Sequence, residues 1–150
     1  MKLLRVGQEG KEKPAVLGKD GKIRDLSEHV IDFNPSTLNF ETLEKIKKID
    51  LESLQEIAST ERLGSCIAKP GKFLAVGLNY SDHAAETNAE IPKEPIIFNK
   101  AANCIVGPND NIILPKLSKK LDWEIEIAFV VGKDTKYVSE KDAPNHILGY

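Results

Sequence analysis

Apolar and polar positions along this chain fall into two textures that change near Pro70. In the first, residues 2–6 and 14–18 are short apolar runs that predict strands, and Lys19-Asp20-Gly21-Lys22, between Leu17 and Ile23, carries the Asp-Gly signal of a tight hairpin. From Leu38 to Ala58, Leu43, Ile46, Ile49, Leu51, Leu54 and Ile57 recur at three- and four-residue intervals with charges between them, which predicts helix. Asp50 is expected to break that stretch into two helices. Pro70-Gly71 marks a turn and a domain boundary, giving a small N-terminal domain at 1–69 and a second domain at 70–150.

Beyond Pro70, short apolar runs alternate with turn signals. Strands are predicted at Phe73 to Val76, Ile96 to Phe98, Cys104 to Val106, Ile112 to Leu114 and Trp123 to Val131. Gly107-Pro108-Asn109-Asp110 and Pro115 interrupt them. The expected fold class is therefore α+β and rich in strands. No repeat or low-complexity segment is present.

Composition narrows the function classes. With 150 residues and 41% hydrophobic positions, the chain can bury one sizeable core. Its 21 basic and 23 acidic residues are interspersed, for a net charge of -2, so no basic stripe offers itself to nucleic acid. The N-terminal apolar run is too short for a signal peptide, and no stretch approaches the ~18 apolar residues of a membrane helix, so a soluble, cytoplasmic protein is expected. Cys66 and Cys104 stand far apart without metal spacing and are expected to be buried thiols in a reducing compartment.

Two constellations could carry chemistry. In Asp122-Trp123-Glu124-Ile125-Glu126-Ile127-Ala128-Phe129-Val130-Val131, alternation puts Glu124, Glu126, Ala128 and Val130 on one face of a strand, with the two glutamate Cα atoms about 7 Å apart. Ala128 and Val130 suggest that this face is covered. Two carboxylates there would repel and lose hydration unless a cation neutralised them, and oxygen ligands suit Mg²⁺, Mn²⁺ or Ca²⁺ rather than zinc. The same segment also fits an edge strand with a solvated polar face. The second constellation is Gly77-Leu78-Asn79-Tyr80-Ser81-Asp82-His83-Ala84-Ala85-Glu86, where Ser81 is expected to cap a short helix that sets His83 and Glu86 on one face. A carboxylate beside an imidazole can orient it and raise its basicity, as water activation or proton abstraction requires. An ordinary surface pair at that spacing remains the alternative.

In order and spacing, these segments resemble the fumarylacetoacetate hydrolase family over roughly residues 63–150. Phe73 to Glu86 is similar to the family's strand and His/Glu lid helix, Glu94-Pro95-Ile96-Ile97-Phe98-Asn99-Lys100 to its next strand, and Ile105-Val106-Gly107-Pro108 to the following turn. Asp122 to Glu126 is similar to its metal-binding strand, and Ile147-Leu148-Gly149-Tyr150 to the start of the strand after it. The resemblance implies a small N-terminal α/β section followed by the first half of a mixed β-sandwich roll. It implies Glu124 and Glu126 as metal ligands, His83 and Glu86 as a catalytic dyad on a lid, and Lys100 as a substrate contact; Tyr80 and Asn79, beside the dyad, are candidate substrate contacts, with a packing role as the alternative.

The implied activity is divalent-metal-dependent cleavage, decarboxylation or isomerisation of small keto or enol carboxylates, in a homo-oligomer. Ureidoglycolate lyase-type chemistry is the alternative within the enzyme class. The family's third ligand, an aspartate in an Asn-Asp motif shortly after the Gly-Tyr segment, has no counterpart here; Asp134 and Asp142 read as turn and helix-start residues, with Ser139 as a cap. That departure leads to the expectation of a truncated enzyme, and to a non-catalytic fragment as the reading from another class. His29 and His146 have no partner at ligand spacing and are read as structural.

Overall fold

The computed structural model describes residues 1–150. Four strands, β1 (Lys2–Val6), β2 (Lys13–Leu17), β3 (Ile23–Asp25) and β4 (Glu56–Ile57), form an antiparallel sheet in that order. The expected hairpin joins β2 to β3: the Gly18 N–H donates to the Lys22 carbonyl at 2.8 Å, and Gly21 takes the left-handed backbone that the turn requires, at φ 79°. Asp20 secures it by accepting from the Lys22 N–H and from Arg24.

Both faces of this sheet are covered. Leu3 and Val16, paired across β1 and β2, belong to a cluster with Leu26, Val30, Phe33 and Ile46. Their neighbours in the pleat, Leu4, Val6, Ala15 and Leu17, join Ile23, Ile57 and Leu63 on the opposite side. Fully burying side chains such as Phe33, Leu26, Ile46 and Val16 contributes about 1.5–3 kcal/mol each.

The helical spacing after Leu38 yields α1 (Phe40–Lys47). Asn39 caps it by accepting from the Thr42 N–H at 2.9 Å, Glu41 sits in its first turn, and Lys45 and Lys47 sit in its last, each complementing the helix dipole. Ile46 carries its buried face. The chain breaks at Asp50, whose side chain caps a single 3₁₀ turn, Leu51–Ser53, before β4 begins.

Beyond Pro70 the strands are fewer than the alternation predicts. β5 (Phe73–Gly77) and β6 (Ile96–Lys100) pair antiparallel, with α2 (Ser81–Glu86) between them. β7 (Val130–Val131) pairs with β8 (Ile147–Gly149), just after a 3₁₀ turn at Ala143–His146. Residues 112–114 and 122–129 form no strand, and Cys104 ends a 3₁₀ turn, Ala102–Cys104, rather than opening a strand. The reason is physical: an extended segment becomes a strand only when a neighbour satisfies its backbone, and within residues 1–150 only Val130 and Val131 find one. Ser139 caps a turn rather than a helix: its hydroxyl accepts from the Asp142 N–H, and Asp142 itself stands at the N-cap of the 3₁₀ turn that precedes β8.

The chain divides into two compact units, one comprising Met1–Ala68 with Val106–Tyr150 and the other Lys69–Ile105. The first is tied together by ion pairs. Arg5, 8% exposed, donates from Nε and Nη2 to the two oxygens of Asp32, at 2.6 and 3.0 Å, and from Nη2 to Glu12 at 3.2 Å. The other Glu12 oxygen accepts from Arg62 at 2.8 Å, and Arg62 grips Asp110 bidentately at 2.7 and 2.6 Å. Asp110 in turn accepts from the Gly107 N–H, closing the turn at 107–110 against residues 62–64. A Cβ at Gly107 would collide with the Leu63 carbonyl, so only glycine allows this approach.

These pairs shift the carboxylates. Burial opposes the Glu12 charge, but the Arg62 hydrogen bond and the charges of Arg5 and Arg62 outweigh it and hold the group below the usual glutamate range. The Arg62 hydrogen bond, then the Gly107 N–H, hold Asp110 below the aspartate range. Arg62 is pushed upward by Asp110 and Glu12.

Arg5→Ala leaves the half-buried Asp32 carboxylate without its bidentate partner and leaves Glu12 with Arg62 alone, and should lower stability by about 1–3 kcal/mol, measured by urea unfolding followed by circular dichroism. Because Glu12 and Asp110 titrate lower in the folded chain than unfolded, the unfolded chain takes up protons first as pH falls. Their stabilisation should be complete above about pH 4–5 and fade below it. Thermal unfolding midpoints between pH 2 and 7 check this, and a midpoint that rises on acidification would contradict it.

Candidate functional site

α2 is held at both ends by unusual backbone. β5 runs into Leu78, a bulky residue in the left-handed region at φ 48°, and then through Asn79 and Tyr80 into the helix. Tyr80, not Ser81, occupies the N-cap position, and no side chain caps it there; Ser81 is instead the first helical residue. Asp82 accepts from the His83 N–H at 2.9 Å. At the other end Asn88 adopts φ 52°, and the Ala89 N–H reaches the Ala84 carbonyl at 2.9 Å while the Asn88 N–H reaches Ala85 at 3.1 Å. This is a Schellman closure, which asparagine tolerates better than most residues.

Ala84 is the buried anchor of α2, and His83 and Glu86 lie on its exposed surface. Spacing of three residues sets them on one side of the helix, but no hydrogen bond or ion pair joins imidazole to carboxylate. Asn79 and Tyr80 are exposed immediately before them, so Asn79, Tyr80, His83 and Glu86 form one continuous segment. Lys100 does not join that segment through the strand ladder. The register pairs Phe73 with Lys100 and Gly77 with Ile96, so Lys100 ends β6 beside the start of β5, about 13 Å along the ribbon from the junction with α2. Its ammonium lies 5.9 Å from the Phe98 ring centroid.

Glu124 and Glu126 lie in the other unit, in the segment that forms no strand. The covered face expected for them is absent: Glu124, Glu126 and Ala128 are exposed, and only Val130 is half-buried. With no strand or helix packed over the segment, both carboxylates keep access to water, and burial does not compel a counter-ion. No three His, Cys, Asp or Glu side chains converge as a metal cage. The donor chemistry still fits a hard cation, because Mg²⁺ is commonly held by one or two carboxylates while keeping several waters.

Cys66 and Cys104 are exposed, not buried, since each lies in a loop or turn rather than in the sheet core. His146 is structural, with Nδ1 2.8 Å from the Thr135 hydroxyl and its carbonyl accepting from the Gly132 N–H. The shared clamp of Arg5, Glu12 and Arg62 has no sequence signature, because fifty residues separate Glu12 from Arg62. Nor does any local signal mark Leu78 as left-handed; only the abrupt passage from strand to helix hints at a tight corner.

Comparison with known proteins supplies what the side chains alone do not. The family described as fumarylacetoacetate (FAA) hydrolase C-terminal matches residues 72–150. A protein of Burkholderia ambifaria (strain MC40-6), described as "Putative hydrolase BamMC406_5393", is 46% identical over 150 residues, covering 100% of this chain and 53% of that protein. A Burkholderia lata protein is also 46% identical over the same shares. The solved fumarylacetoacetate hydrolase from psychrophilic Exiguobacterium antarcticum superposes with a TM-score of 0.74 at 28% identity, over 98% of this chain and 52% of that one. The chain thus spans about half the length of the curated relatives it matches. Over the part that it spans, strand, His/Glu helix and Glu-x-Glu segment all fall within the matched residues, and this chain belongs to the fumarylacetoacetate hydrolase family.

Proposed function

We propose that this chain carries the His/Glu helix and the two-carboxylate segment of a divalent-metal-dependent hydrolase that cleaves a carbon-carbon bond in small keto or enol carboxylates. The observation that carries this reading is the family match over 72–150, which encloses His83, Glu86, Glu124 and Glu126 together. Glu124 and Glu126 would hold Mg²⁺, or Mn²⁺ or Ca²⁺ in its place. The ion supplies positive charge for the keto and carboxylate oxygens of the substrate.

The chain's own residues do the rest. His83 is exposed on α2, where its imidazole can take a proton from a water molecule. The hydroxide adds to the carbonyl carbon, the adjacent carbon-carbon bond breaks, and its electron pair leaves on the carbon next to the second carbonyl. Protonated His83 returns the proton to that carbon, so a carboxylic acid, which releases its proton to water on ionising, and a ketone-bearing acid result. Glu86, one turn along the same side of the helix, can accept from an imidazole N–H and orient the ring once the two approach. Asn79 and Tyr80, just ahead of the helix, offer an amide and a hydroxyl to substrate oxygens, and Lys100 a positive charge. Left-handed residues at 78 and 88 bracket the helix, which suits a lid that moves as one piece.

A second reading has a specific observation in its favour. No set of three ligating side chains converges, and Glu124 and Glu126 are exposed, and on this reading residues 1–150 would act as a structural or binding module without turnover.

An acylpyruvate incubated with the chain and Mg²⁺, with pyruvate release as the readout, separates the two. The enzymatic reading expects release that stops on chelation, falls about 10²–10⁴-fold in His83→Ala and is abolished in the Glu124→Ala, Glu126→Ala double variant. Calorimetry should show Mg²⁺ binding retained in His83→Ala and lost in the double variant. A folded chain that releases nothing at saturating Mg²⁺ belongs to the second reading, and a fully active His83→Ala variant removes the histidine from the chemistry.

A further inference from the structure

We infer that Phe40, the first residue of α1, is a positioning residue for the two-carboxylate segment: its ring seats on Gly132 and fixes where the chain that carries Glu124 and Glu126 meets the N-terminal section. Its bearing on metal affinity rests on the reading of those glutamates as ligands of a divalent ion; the seat itself does not.

Phe40 belongs to neither apolar cluster of the four-stranded sheet, which α1 serves through Ile46. Its ring meets the β7–β8 ribbon instead. A Cβ on Gly132 would lie 3.0 Å from Phe40 Cε2 and 2.8 Å from both Cβ and Cδ1 of Leu148, closer than packed side chains approach. Gly132 is not left-handed, so what its place demands is space. The Lys133 ammonium, 5.8 Å from the centroid of the same ring, adds a cation to the contact. The Gly132 N–H donates to the His146 carbonyl at 2.9 Å, so the ring bears on the ribbon itself rather than on a free loop.

The far end of the stretch is seated in the same way. Gly107 and Gly132 are the two buried residues of 106–150, and each lies against a residue of the first 68: Gly107 on the Leu63 carbonyl, Gly132 on the Phe40 ring. All of these residues belong to the larger unit. Seating both ends narrows the paths open to the residues between them, which lowers the ordering entropy of bringing two carboxylates to one cation. Asp110 is held by Arg62 at the first seat, and the ring at the second is the part that a single substitution removes without disturbing a charge.

Trp123, the single tryptophan, reports on the segment, and exposed Cys66 accepts an acceptor dye once Cys104→Ser removes the other thiol. Energy transfer from Trp123 to that dye gives their distance distribution. Phe40→Ala removes the ring and keeps a good helix former in α1. It should shift and broaden the distribution, as should Gly132→Ala, while Phe40→Tyr, which keeps the ring, restores it. Val30→Ala, which destabilises the sheet's apolar cluster away from the seat, should leave the distribution of the folded chain unchanged. Calorimetry should show Mg²⁺ affinity about tenfold or more weaker in Phe40→Ala than in the parent and recovered in Phe40→Tyr. A distribution that Phe40→Ala leaves in place, or that Val30→Ala moves equally, overturns the inference, and so does a parent that binds Mg²⁺ no better than Phe40→Ala binds it. A moved distribution in a chain that binds no Mg²⁺ at all upholds the seat and removes the ligand reading of Glu124 and Glu126.

Discussion

Glu12 between two arginines is the constraint on which the larger unit depends. One carboxylate oxygen faces Arg5 and the other Arg62, and each guanidinium forks onto a further aspartate, Asp32 or Asp110. Five charged side chains thus join the first strand, the loop before α1, the segment at 62–65 and the turn at 107–110. Such a cluster is tolerable in a half-dry setting only because every lone pair and N–H aimed into it meets a partner, and no buried side-chain polar atom is left without one. The apolar clusters on the two faces of the sheet supply the burial, while the arginines set where the distant turn must sit.

That turn bears on the proposed chemistry because the Glu-x-Glu segment follows it. Asp110 and Gly107 fix the starting point of residues 111–131, and β7 with β8 fixes their end. Between these anchors the chain has the composition of a buried strand and the exposure of a loop. The smaller unit shows a related imbalance: β5 and β6 pair over five positions, yet Leu74, Val76, Ile97 and Phe98 are exposed, and Ala84 is the buried residue of α2. A two-stranded ribbon with so little core is marginal by itself. The His/Glu helix and the Glu-x-Glu segment therefore each rest on elements whose apolar surfaces are only partly used.

Much of the fold was legible because its signals are local. Asp-Gly turned β2 into β3, Asn39 and the three- and four-residue spacing made α1, Asp50 stopped it, and Ser139 shaped the turn before β8. The His83/Glu86 helix was legible too, with the cap displaced by one residue from Ser81 to Tyr80. The strands at 112–114 and 122–129, the covered carboxylate face and the buried thiols were not. Each of those depends on what lies alongside, and alternation records a readiness to be covered without naming the cover.

By itself, the sequence determined the local elements, the family and the residue types available for chemistry, because periodicity, caps and ordered motifs are written in neighbouring residues. Only the tertiary structure decided that Arg5, Glu12 and Arg62 share one cluster, that Lys100 closes the ribbon at the end away from α2, and that Glu124 and Glu126 are exposed. Those outcomes depend on pairing and burial between segments distant in the chain. A strand's partner, unlike its pattern, is contributed by residues elsewhere.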